Sequence, residues 1–376
     1  ENVPIIDKPL NVSEKENITK ANREEVMKFI LADLEAAINE PNLPGASVLP
    51  VSELGRITKE AALAFRARVY LFYGNYEAAK ADLKAVVESG CYELIDNYET
   101  LFNSAEKGYM SKEAVFITLR SYIPNYTNGS VCPQMNTGRA GVGGWGGECP
   151  TNDLVSEYEV GDPRLVHTIL SSGDIFIKSD GTQEVHDYSG YDNFSLQHSR
   201  KQYPDWSRRP IGDLQNTDWT FYHIRYADVL LMYAECLIET GDDKQKAVDL
   251  INQVRHRAFV SSTTTDSYAH YRKFNIPEEN RITEEVFNSK YKVKVSDDLK
   301  KAIRHERRVE LGCEGLRLYD LLRWGIFVPT MQAFGQTAEG KYSGAGTHVT
   351  DKTWPYPIPQ NEIDYVGGTL TQNDNY

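Results

Sequence analysis

Aromatic residues in a stretch rich in glycine and asparagine are the side chains of this chain best suited to hold a ligand. A flat ring beside Asn, Asp or Arg can stack on the CH face of a sugar, while the polar neighbours hydrogen-bond to the hydroxyl groups. Trp145 lies between Gly143-Gly144 and Gly146-Gly147, which have no side chains to cover an indole ring. We therefore expect Trp145 to be the central stacking residue. The predicted ligand-binding set is completed by Tyr122, Tyr126, Trp206 and Tyr191.

The same rings have a purely structural interpretation, because aromatic residues also fix long loops to a folded scaffold. Under that interpretation, substitution of Trp145 would lower stability and would change binding only indirectly. The exposure of the ring distinguishes the two interpretations.

Residue patterns typical of catalytic and metal sites are absent from the sequence. The eight histidines include no His-Glu-x-x-His and no His-x-x-x-His pair, and no Gly-x-Ser-x-Gly occurs. Gly141-x-Gly143-x-x-Gly146 has the glycine spacing of a dinucleotide-binding loop. However, no buried strand is predicted before it, and Pro150 interrupts the residues that should form the following helix. Carboxylates such as Glu157, Glu159 and Asp162 are more simply interpreted as solvated surface charges. We therefore expect a protein that is not an enzyme and needs no cofactor.

An acidic composition limits the partners of the chain. It has 41 Lys and Arg against 54 Asp and Glu, which gives a formal charge of −13. An acidic surface repels phosphate backbones, so we expect no nucleic-acid partner. No run of about 18 apolar residues occurs, which predicts no membrane-spanning helix. Of the five cysteines, Cys132 and Cys149 share one loop-like stretch. The sequence alone does not decide whether these two form a disulfide.

Two segments have the residue spacing of tetratricopeptide helix pairs. In the first, Ala67 lies where two antiparallel helices would cross, and Gly74 lies at the turn between them. In the second, Ala234 and Gly241 have the same relation. We therefore expect both alanines to be buried at helix crossings. The two copies lie far apart in the chain, which indicates an insertion between them.

The predicted fold is mostly α: a tetratricopeptide-like scaffold of helix pairs, or alpha-alpha superhelix, with long irregular loop insertions. Antiparallel pairs are predicted over 58–90 and 223–258, and a third pair from Leu299 to Trp324, broken at two glycines. Short strands are expected at Ala114–Leu119 and Ile175–Ile177. At the first predicted helix, Asn22 followed by Glu25 indicates a capping box.

We expect a single unit over 1–376, because one helical scaffold that carries long loops fits the pattern better than separate domains. Residues 1–90 would be the remainder of an N-terminal helical region with one tetratricopeptide-like pair. Residues 91–220, rich in Gly, Asn, Ser, Tyr and Trp, would be a loop-rich insertion, and 221–376 would be a C-terminal region with further pairs. Loops this long in a compact protein usually carry function.

Several segments, in fixed order and ending near the carboxyl terminus, carry a family resemblance over nearly the whole chain. They are Gly144–Gly146, Pro150–Glu159, Gly161-Asp-Pro-Arg164, Ile224–Glu235, Glu306–Leu311, Glu314–Gly325, Tyr356–Ile363 and Leu370–Asn373. Together they resemble the SusD/RagB family of outer-membrane substrate-binding lipoproteins of the Bacteroidetes. Charged residues of these segments are expected to form an ion-pair network between helices, not a ligand site. They are Arg225, Asp228, Glu235, Arg307, Arg308, Glu310, Arg317, Asp320 and Arg323.

The resemblance implies a non-enzymatic binding protein on the outer face of the outer membrane. Such a protein captures oligosaccharides or polysaccharides and delivers them to a SusC-like TonB-dependent transporter. The alternatives are peptide capture, as in RagB-like members, and a repeat scaffold that binds only proteins. Some relatives hold a structural calcium ion, but this sequence shows no run of ligands for one.

Family members generally open with a lipidated cysteine and a first set of helices. Glu1–Leu10 resembles the segment that follows those helices, so the chain is expected to be N-terminally incomplete. Contact with the membrane would then depend on a lipid anchor absent from this chain.

Overall fold

Helices dominate the computed structural model, which describes residues 2–102, 108–123, 125, 129–136, 144–177, 183–185, 195, 197–202, 216–262, 282–373 and 376. Helix accounts for 52% of it, which confirms the mostly-α class. The first helices are α1 (Arg23–Asn39), α2 (Lys59–Phe72), α3 (Tyr76–Glu88), α4 (Tyr98–Leu101), α5 (Cys132–Asn136), α6 (Asn152–Glu157) and α7 (Arg164–Thr168). The later ones are α8 (Tyr226–Thr240), α9 (Lys244–His256), α10 (Glu284–Val286), α11 (Leu299–Glu310), α12 (Arg317–Arg323), α13 (Phe327–Gln336), α14 (Ala338–Ser343) and α15 (Gln360–Tyr365).

Shorter turns of other helical types connect these elements. Single 3₁₀ segments lie at Val12–Asn17, Ala46–Val48, Val51–Glu53 and Gly108–Met110. The last turn of α9 continues as a π-helix over Arg257–Ser261, and α10 continues in the same way over Phe287–Tyr291.

The two predicted tetratricopeptide-like pairs are confirmed as α2 with α3 and α8 with α9. Gly74 and Gly241 have φ angles of 76° and 70°, a left-handed conformation that favours glycine at each turn between helices. Asn75 then caps α3 by accepting a hydrogen bond from the Ala78 amide. Local turn chemistry therefore fixes the two hairpins.

Ala67 and Ala234 have no exposed surface, as the sequence predicts. Their small side chains let the helices approach closely, so the core around them is built from packed backbone and large neighbours. Although the two pairs are distant in sequence, α3 packs against α8. Residues 226–237 of α8 are all buried, which makes this helix the centre of the scaffold.

The segment expected to form a third helix pair contains α11 and α12, which are joined by the ion pair between Arg307 and Asp320. The residues with left-handed backbone between them are Cys313, with φ of 61°, and Gly315, with φ of 76°. Gly312 has another role, because a Cβ there would lie 3.1 Å from the Tyr158 hydroxyl. The predicted break at Gly312 and Gly315 is therefore present, but close packing explains the first glycine.

Within the described residues, three small antiparallel sheets of two strands each interrupt the helical structure. Strand β1 (Ala114–Thr118) pairs with β6 (Phe221–Arg225), β2 (Ile169–Ser171) with β5 (Gln197–Ser199), and β3 (Ile175–Ile177) with β4 (Gln183–Val185). Strands β1 and β3 confirm the two strands predicted from the sequence. The β1–β6 sheet joins the start of the loop-rich region to the start of α8.

Contacts divide the described chain into two compact units, Leu43–Arg323 and the combination of Glu1–Asn42 with Trp324–Tyr376. In the second of these, Asn22 and Glu25 form the predicted capping box at α1. The side chain of Gln372 bonds to both the amide and the carbonyl of Ile358, at 2.8 Å each. The organisation into a single unit over 1–376 stays a prediction.

A buried carboxylate, Glu310, is the centre of an ion-pair network inside the larger unit. Its oxygens accept hydrogen bonds from Arg225 at 2.6 Å, Arg164 at 2.8 Å and Arg257. A second buried carboxylate, Glu113, pairs with both Arg225 and Arg257. Burial alone would raise the pKa of Glu310, but the three guanidinium charges lower it well below its usual value.

A second cluster confirms the predicted pairing between helices α8, α11 and α12. Arg307 donates to Asp228 at 2.8 Å and to Asp320 at 3.0 Å, and Arg323 forms a bidentate pair with Glu235. Burial would raise the pKa of Asp228, but the neighbouring arginines lower it to about 2. The charged side chains of this second cluster therefore hold α8, α11 and α12 together.

Removal of the Glu310 charge should strongly destabilise the fold. In Glu310→Gln, three buried arginines lose their common anion, and the new amide NH₂ group faces another donor. We expect a loss of about 3–5 kcal/mol in the free energy of unfolding, measured by urea denaturation. Glu88→Gln is the matched control, because Glu88 is exposed on α3, and it should change stability by less than about 0.5 kcal/mol. A loss below about 1 kcal/mol for Glu310→Gln would contradict the central role of this carboxylate.

Candidate binding surface around Trp145

Trp145 lies on the segment 144–150, between α5 and α6, and 52% of its surface is exposed. Its backbone is nevertheless fixed. The Trp145 amide donates to the Gln134 carbonyl at 2.7 Å, and the Gly147 amide donates to the Met135 carbonyl at 2.8 Å. Both acceptors belong to α5, so the segment is attached to the end of that helix and holds a large apolar ring in contact with solvent.

The glycines beside Trp145 are explained by close backbone approach. A Cβ at Gly147 would lie only 2.7 Å from the Met135 carbonyl oxygen. Gly146 has a φ of 70°, where other residues are strained. These glycines therefore let the segment lie directly on α5.

Tyr122 lies in the extended segment after β1 and has 37% of its surface exposed. The next residue, Ile123, is also exposed, and its carbonyl accepts a hydrogen bond from the Asn216 side chain at 3.2 Å. The same side chain accepts from the Gly129 amide at 2.8 Å. Asn216 therefore fixes the backbone that follows Tyr122 while the tyrosine ring stays accessible.

The other three predicted site residues, Tyr126, Trp206 and Tyr191, lie outside the described residues. Trp145 and Tyr122 are the two members of the set whose placement is described, and each presents an accessible ring. Their use of one common ligand surface stays a prediction.

Three polar side chains, from three separate segments, join the Trp145 segment to its surroundings. Gln202 donates through its side-chain nitrogen to Glu148 at 2.6 Å. The side-chain oxygen of Gln202 accepts from Asn136, the last residue of α5. No sequence pattern marks these three residues, because contacts between polar side chains of separate segments follow no period.

Glu148 has an unusual environment for a carboxyl group near the surface. Burial raises its pKa to about 7, although the hydrogen bond from Gln202 and the charge of Lys201 act in the opposite direction. The carboxyl group three residues after Trp145 therefore changes charge near neutral pH.

Lys201 connects this region to the buried ion-pair network. Its ammonium group donates to the Glu310 carbonyl at 3.0 Å and to the Glu314 carboxylate at 2.7 Å. Its own carbonyl accepts from the indole nitrogen of Trp219 at 3.1 Å. Because Gln202 is the next residue, the segment that contacts Glu148 is held on the rigid core.

The carboxylates considered from the sequence as acid–base candidates are engaged in ion pairs. Glu157 bonds to His305 Nδ1 at 2.7 Å and to Arg308 at 2.9 Å. Glu159 bonds to Arg255 at 2.7 Å and lies 3.4 Å from His305 Nε2. Burial would raise the pKa of Glu159, but His305 and Arg255 lower it to about 2.

Asp162 corrects one interpretation from the sequence. It is 1% exposed, so its interpretation as a solvated surface charge is wrong. The residue follows Gly161, accepts from the Arg164 amide at 3.0 Å and pairs with the Arg164 guanidinium at 2.7 Å. Asp162 therefore orients Arg164 toward Glu310 and belongs to the scaffold.

Metal and redox features are described for residues 2–102, 108–123, 125, 129–136, 144–177, 183–185, 195, 197–202, 216–262, 282–373 and 376. No group of three or more His, Cys, Asp or Glu side chains in these segments could hold a metal ion. Cys132 and Cys149 are free thiols, so the disulfide left open by the sequence is not formed. Two glycines of the motif that resembles a dinucleotide-binding loop, Gly141 and Gly143, lie outside the described residues. None of the described helices is both long enough and apolar enough to cross a membrane.

Comparison with known proteins gives one consistent family. The SusD family model matches residues 112–376. SusD-like protein P2 of Formosa agariphila is 24% identical over 391 residues, which cover 100% of this chain and 70% of the relative. SusD-like protein P38 of the same organism is 24% identical over 356 residues, which cover 88% of this chain and 63% of the relative.

Solved structures give the same result. A SusD-like carbohydrate binding protein from Bacteroides fragilis is 27% identical with a TM-score of 0.69, and the match covers 97% of this chain and 74% of that one. A laminarin binding SusD-like protein is 25% identical with a TM-score of 0.70, and the match covers 100% of this chain and 74% of that one.

The contacts of His305 predict that the folded protein loses stability at alkaline pH. Burial would lower the pKa of His305, but the hydrogen bond with Glu157 and the nearby Glu159 carboxylate raise it to about 9, from 6.5. Because the folded pKa is raised, this stabilisation is complete below about pH 6.5 and is lost as the pH rises through 9. We expect native stability to fall by up to about 3 kcal/mol between pH 6.5 and 9.5, measured by urea denaturation.

His305→Gln should lower stability at pH 6.5 and abolish most of this pH dependence. The exposed residue His348 provides the control, since His348→Gln should leave the profile unchanged. Equal pH profiles for the native protein and His305→Gln would show that the ion pair makes no contribution.

Proposed function

The chain belongs to the SusD family, and from this membership we propose that it is a non-enzymatic protein that captures oligosaccharides or polysaccharides at the surface around Trp145. The observation that carries the proposal is the half-exposed indole of Trp145 on a segment fixed to α5 by two backbone hydrogen bonds. The carbohydrate-binding and laminarin-binding relatives support this class of ligand.

Ring stacking is the interaction that this surface supplies best. An indole stacks on the CH face of a pyranose ring, and a fixed backbone reduces the conformational entropy that binding would otherwise cost. Tyr122 offers a second accessible ring on a segment that Asn216 holds in place. A neutral sugar also avoids the repulsion that a net charge of −13 exerts on anionic ligands.

Delivery to a transporter is the second part of the proposal. As in the family, the bound glycan would pass to a SusC-like TonB-dependent transporter on the outer face of the outer membrane, where the protein is lipid-anchored. The helical pairs α2–α3 and α8–α9 would supply the surface that packs against the transporter. The chain spans 70% of the length of P2 and 63% of the length of P38.

The ligand class is tested directly by a binding screen. Laminarin, other plant glucans and xylans, host glycans and a mixture of short peptides are titrated into the protein by isothermal calorimetry. Saturable binding of at least one glycan supports the proposal. Binding of peptides without any glycan would overturn it in favour of RagB-like capture.

Trp145→Ala should weaken the tightest glycan complex of that screen about ten- to a hundredfold. This loss corresponds to roughly 1–3 kcal/mol for one aromatic face and its stacking geometry. The melting temperature should stay within about 2 °C of the native value, because an exposed ring contributes little to the fold. Calorimetric titration and a melting curve on the same variant give both quantities.

Tyr319→Ala is the matched control, because Tyr319 is equally exposed, at 51%, on the scaffold helix α12. This variant should bind the glycan as tightly as the native protein. An unchanged affinity for Trp145→Ala together with a large drop in melting temperature would identify Trp145 as a loop anchor and not as a binding residue.

Incubation with the bound glycan should leave its chain length unchanged. The carboxylates Glu157 and Glu159 are held in ion pairs with His305, Arg255 and Arg308, so neither is available as a free acid or nucleophile. Product release measured by reducing-end assay and chromatography should equal the control without protein. Turnover that survives repurification, and that is lost in Glu157→Gln or Glu159→Gln, would make hydrolysis the better function.

A further inference from the structure

The segment that presents Trp145 is closed by a ring of hydrogen bonds. On one side, the amides of Trp145 and Gly147 donate to carbonyls at the end of α5. On the other side, Glu148 is bonded to Gln202, which is bonded to Asn136 at the end of the same helix. We call Asn136, Gln202 and Glu148 the amide clamp.

We propose that the amide clamp positions the Trp145 ring for its ligand, and that the charge state of Glu148 sets how tightly the Trp145 segment is held. The inference rests on the proposed function for its ligand, but the clamp itself is a property of the unliganded protein. Asn136, Gln202 and Glu148 are positioning residues, because they act through the backbone that carries the ring.

Gln202 is suited to this role because it uses both ends of one amide. Its oxygen accepts from Asn136 and its nitrogen donates to Glu148, so the rigid amide plane fixes the distance between α5 and the segment 144–150. Gln202 is 9% exposed and follows Lys201, whose ammonium group is bonded to Glu310 and Glu314. The clamp is therefore anchored to the buried network at one end and to the exposed ring at the other.

The clamp responds to pH through the groups around Glu148. Burial is the largest influence and raises the pKa of Glu148 to about 7, and the carboxylate of Glu314 also raises it. Lys201 and the hydrogen bond from Gln202 lower it, and burial and the charge of Glu148 in turn raise the pKa of the Cys313 thiol.

A carboxyl group with a raised pKa favours the closed arrangement when it is protonated. Relative to a segment open to water, where the usual pKa of 4.5 applies, the closed state is most stable below about pH 4.5. The free-energy difference that favours the closed state decreases progressively as the pH rises to about 7. Above about pH 7 this difference no longer changes with pH. The segment is therefore held more tightly in mildly acidic surroundings.

Hydrogen–deuterium exchange of the ligand-free protein tests the clamp without any assumption about the glycan. Protection of peptides that cover 144–150 is followed from pH 4.5 to 7.5, after correction for the intrinsic rate at each pH. The native segment should lose at least tenfold in protection across this range. Glu148→Gln keeps an acceptor for Gln202 but has no charge to lose, so its protection should stay high and flat.

Gln202→Leu keeps the volume of the side chain but removes both hydrogen bonds, so protection should fall about tenfold or more at every pH. Glu93→Gln is the matched control, because Glu93 is an exposed carboxylate elsewhere in the same unit. It should reproduce the native profile. Unchanged protection in Gln202→Leu, or equal pH profiles for the native protein and Glu148→Gln, would overturn the proposal.

Laminarin titration at pH 5.5 and 7.5 adds the functional readout. Native affinity should be several-fold higher at pH 5.5, Glu148→Gln should bind equally at both values, and Gln202→Leu should bind about tenfold more weakly without a change in melting temperature. Equal native affinity at the two pH values would overturn the link between the clamp and ligand binding. Absence of native laminarin binding, with the exchange results as expected, would instead contradict the proposed ligand and leave the clamp supported.

Discussion

The structure depends first on the burial of one carboxylate, Glu310, among three arginines. These arginines come from the end of β6, from the π-helical turn after α9 and from α7 in the loop-rich region. A buried charge without partners would cost several kcal/mol, so the three segments are stable only together. One anion therefore joins the helical scaffold to the irregular part of the chain, where the described residues form a small apolar cluster around Val155, Tyr158 and Leu165.

The same network also reaches the candidate binding surface. The carbonyl of Glu310 and the carboxylate of Glu314 hold Lys201, the adjacent Gln202 holds Glu148, and Glu148 lies on the segment that carries Trp145. These steps are hydrogen bonds with a defined direction or links along the backbone, so the position of the segment is set by the core and not by the flexibility of its glycines. A ligand that stacks on the indole meets a surface that is already organised, which lowers the entropy lost on binding.

Sequence patterns predict the scaffold well because its determinants are local. Small residues at fixed spacing place Ala67 and Ala234 at helix crossings, and a glycine turn separates the helices of each pair. The site is predicted less completely. Trp145 stands out through its flanking glycines, but Asn136, Glu148 and Gln202 come from distant segments and follow no period. The burial of Asp162 is equally hidden from the sequence pattern. It depends on the ion pair with Arg164, which in turn bonds to Glu306 of α11.

The wide separation of the arginines around Glu310 has a consequence for how the chain folds. Arg164, Arg225 and Arg257 reach the carboxylate from positions 146, 85 and 53 residues away along the sequence. Hairpins such as α2–α3 can form early, because their contacts are close in sequence and loop closure costs little entropy. Closing the network brings together segments that are far apart, and any partly assembled state would leave a charge buried without a partner. Such intermediates are disfavoured, so the loop-rich region and the helical core are expected to form in one late, cooperative step.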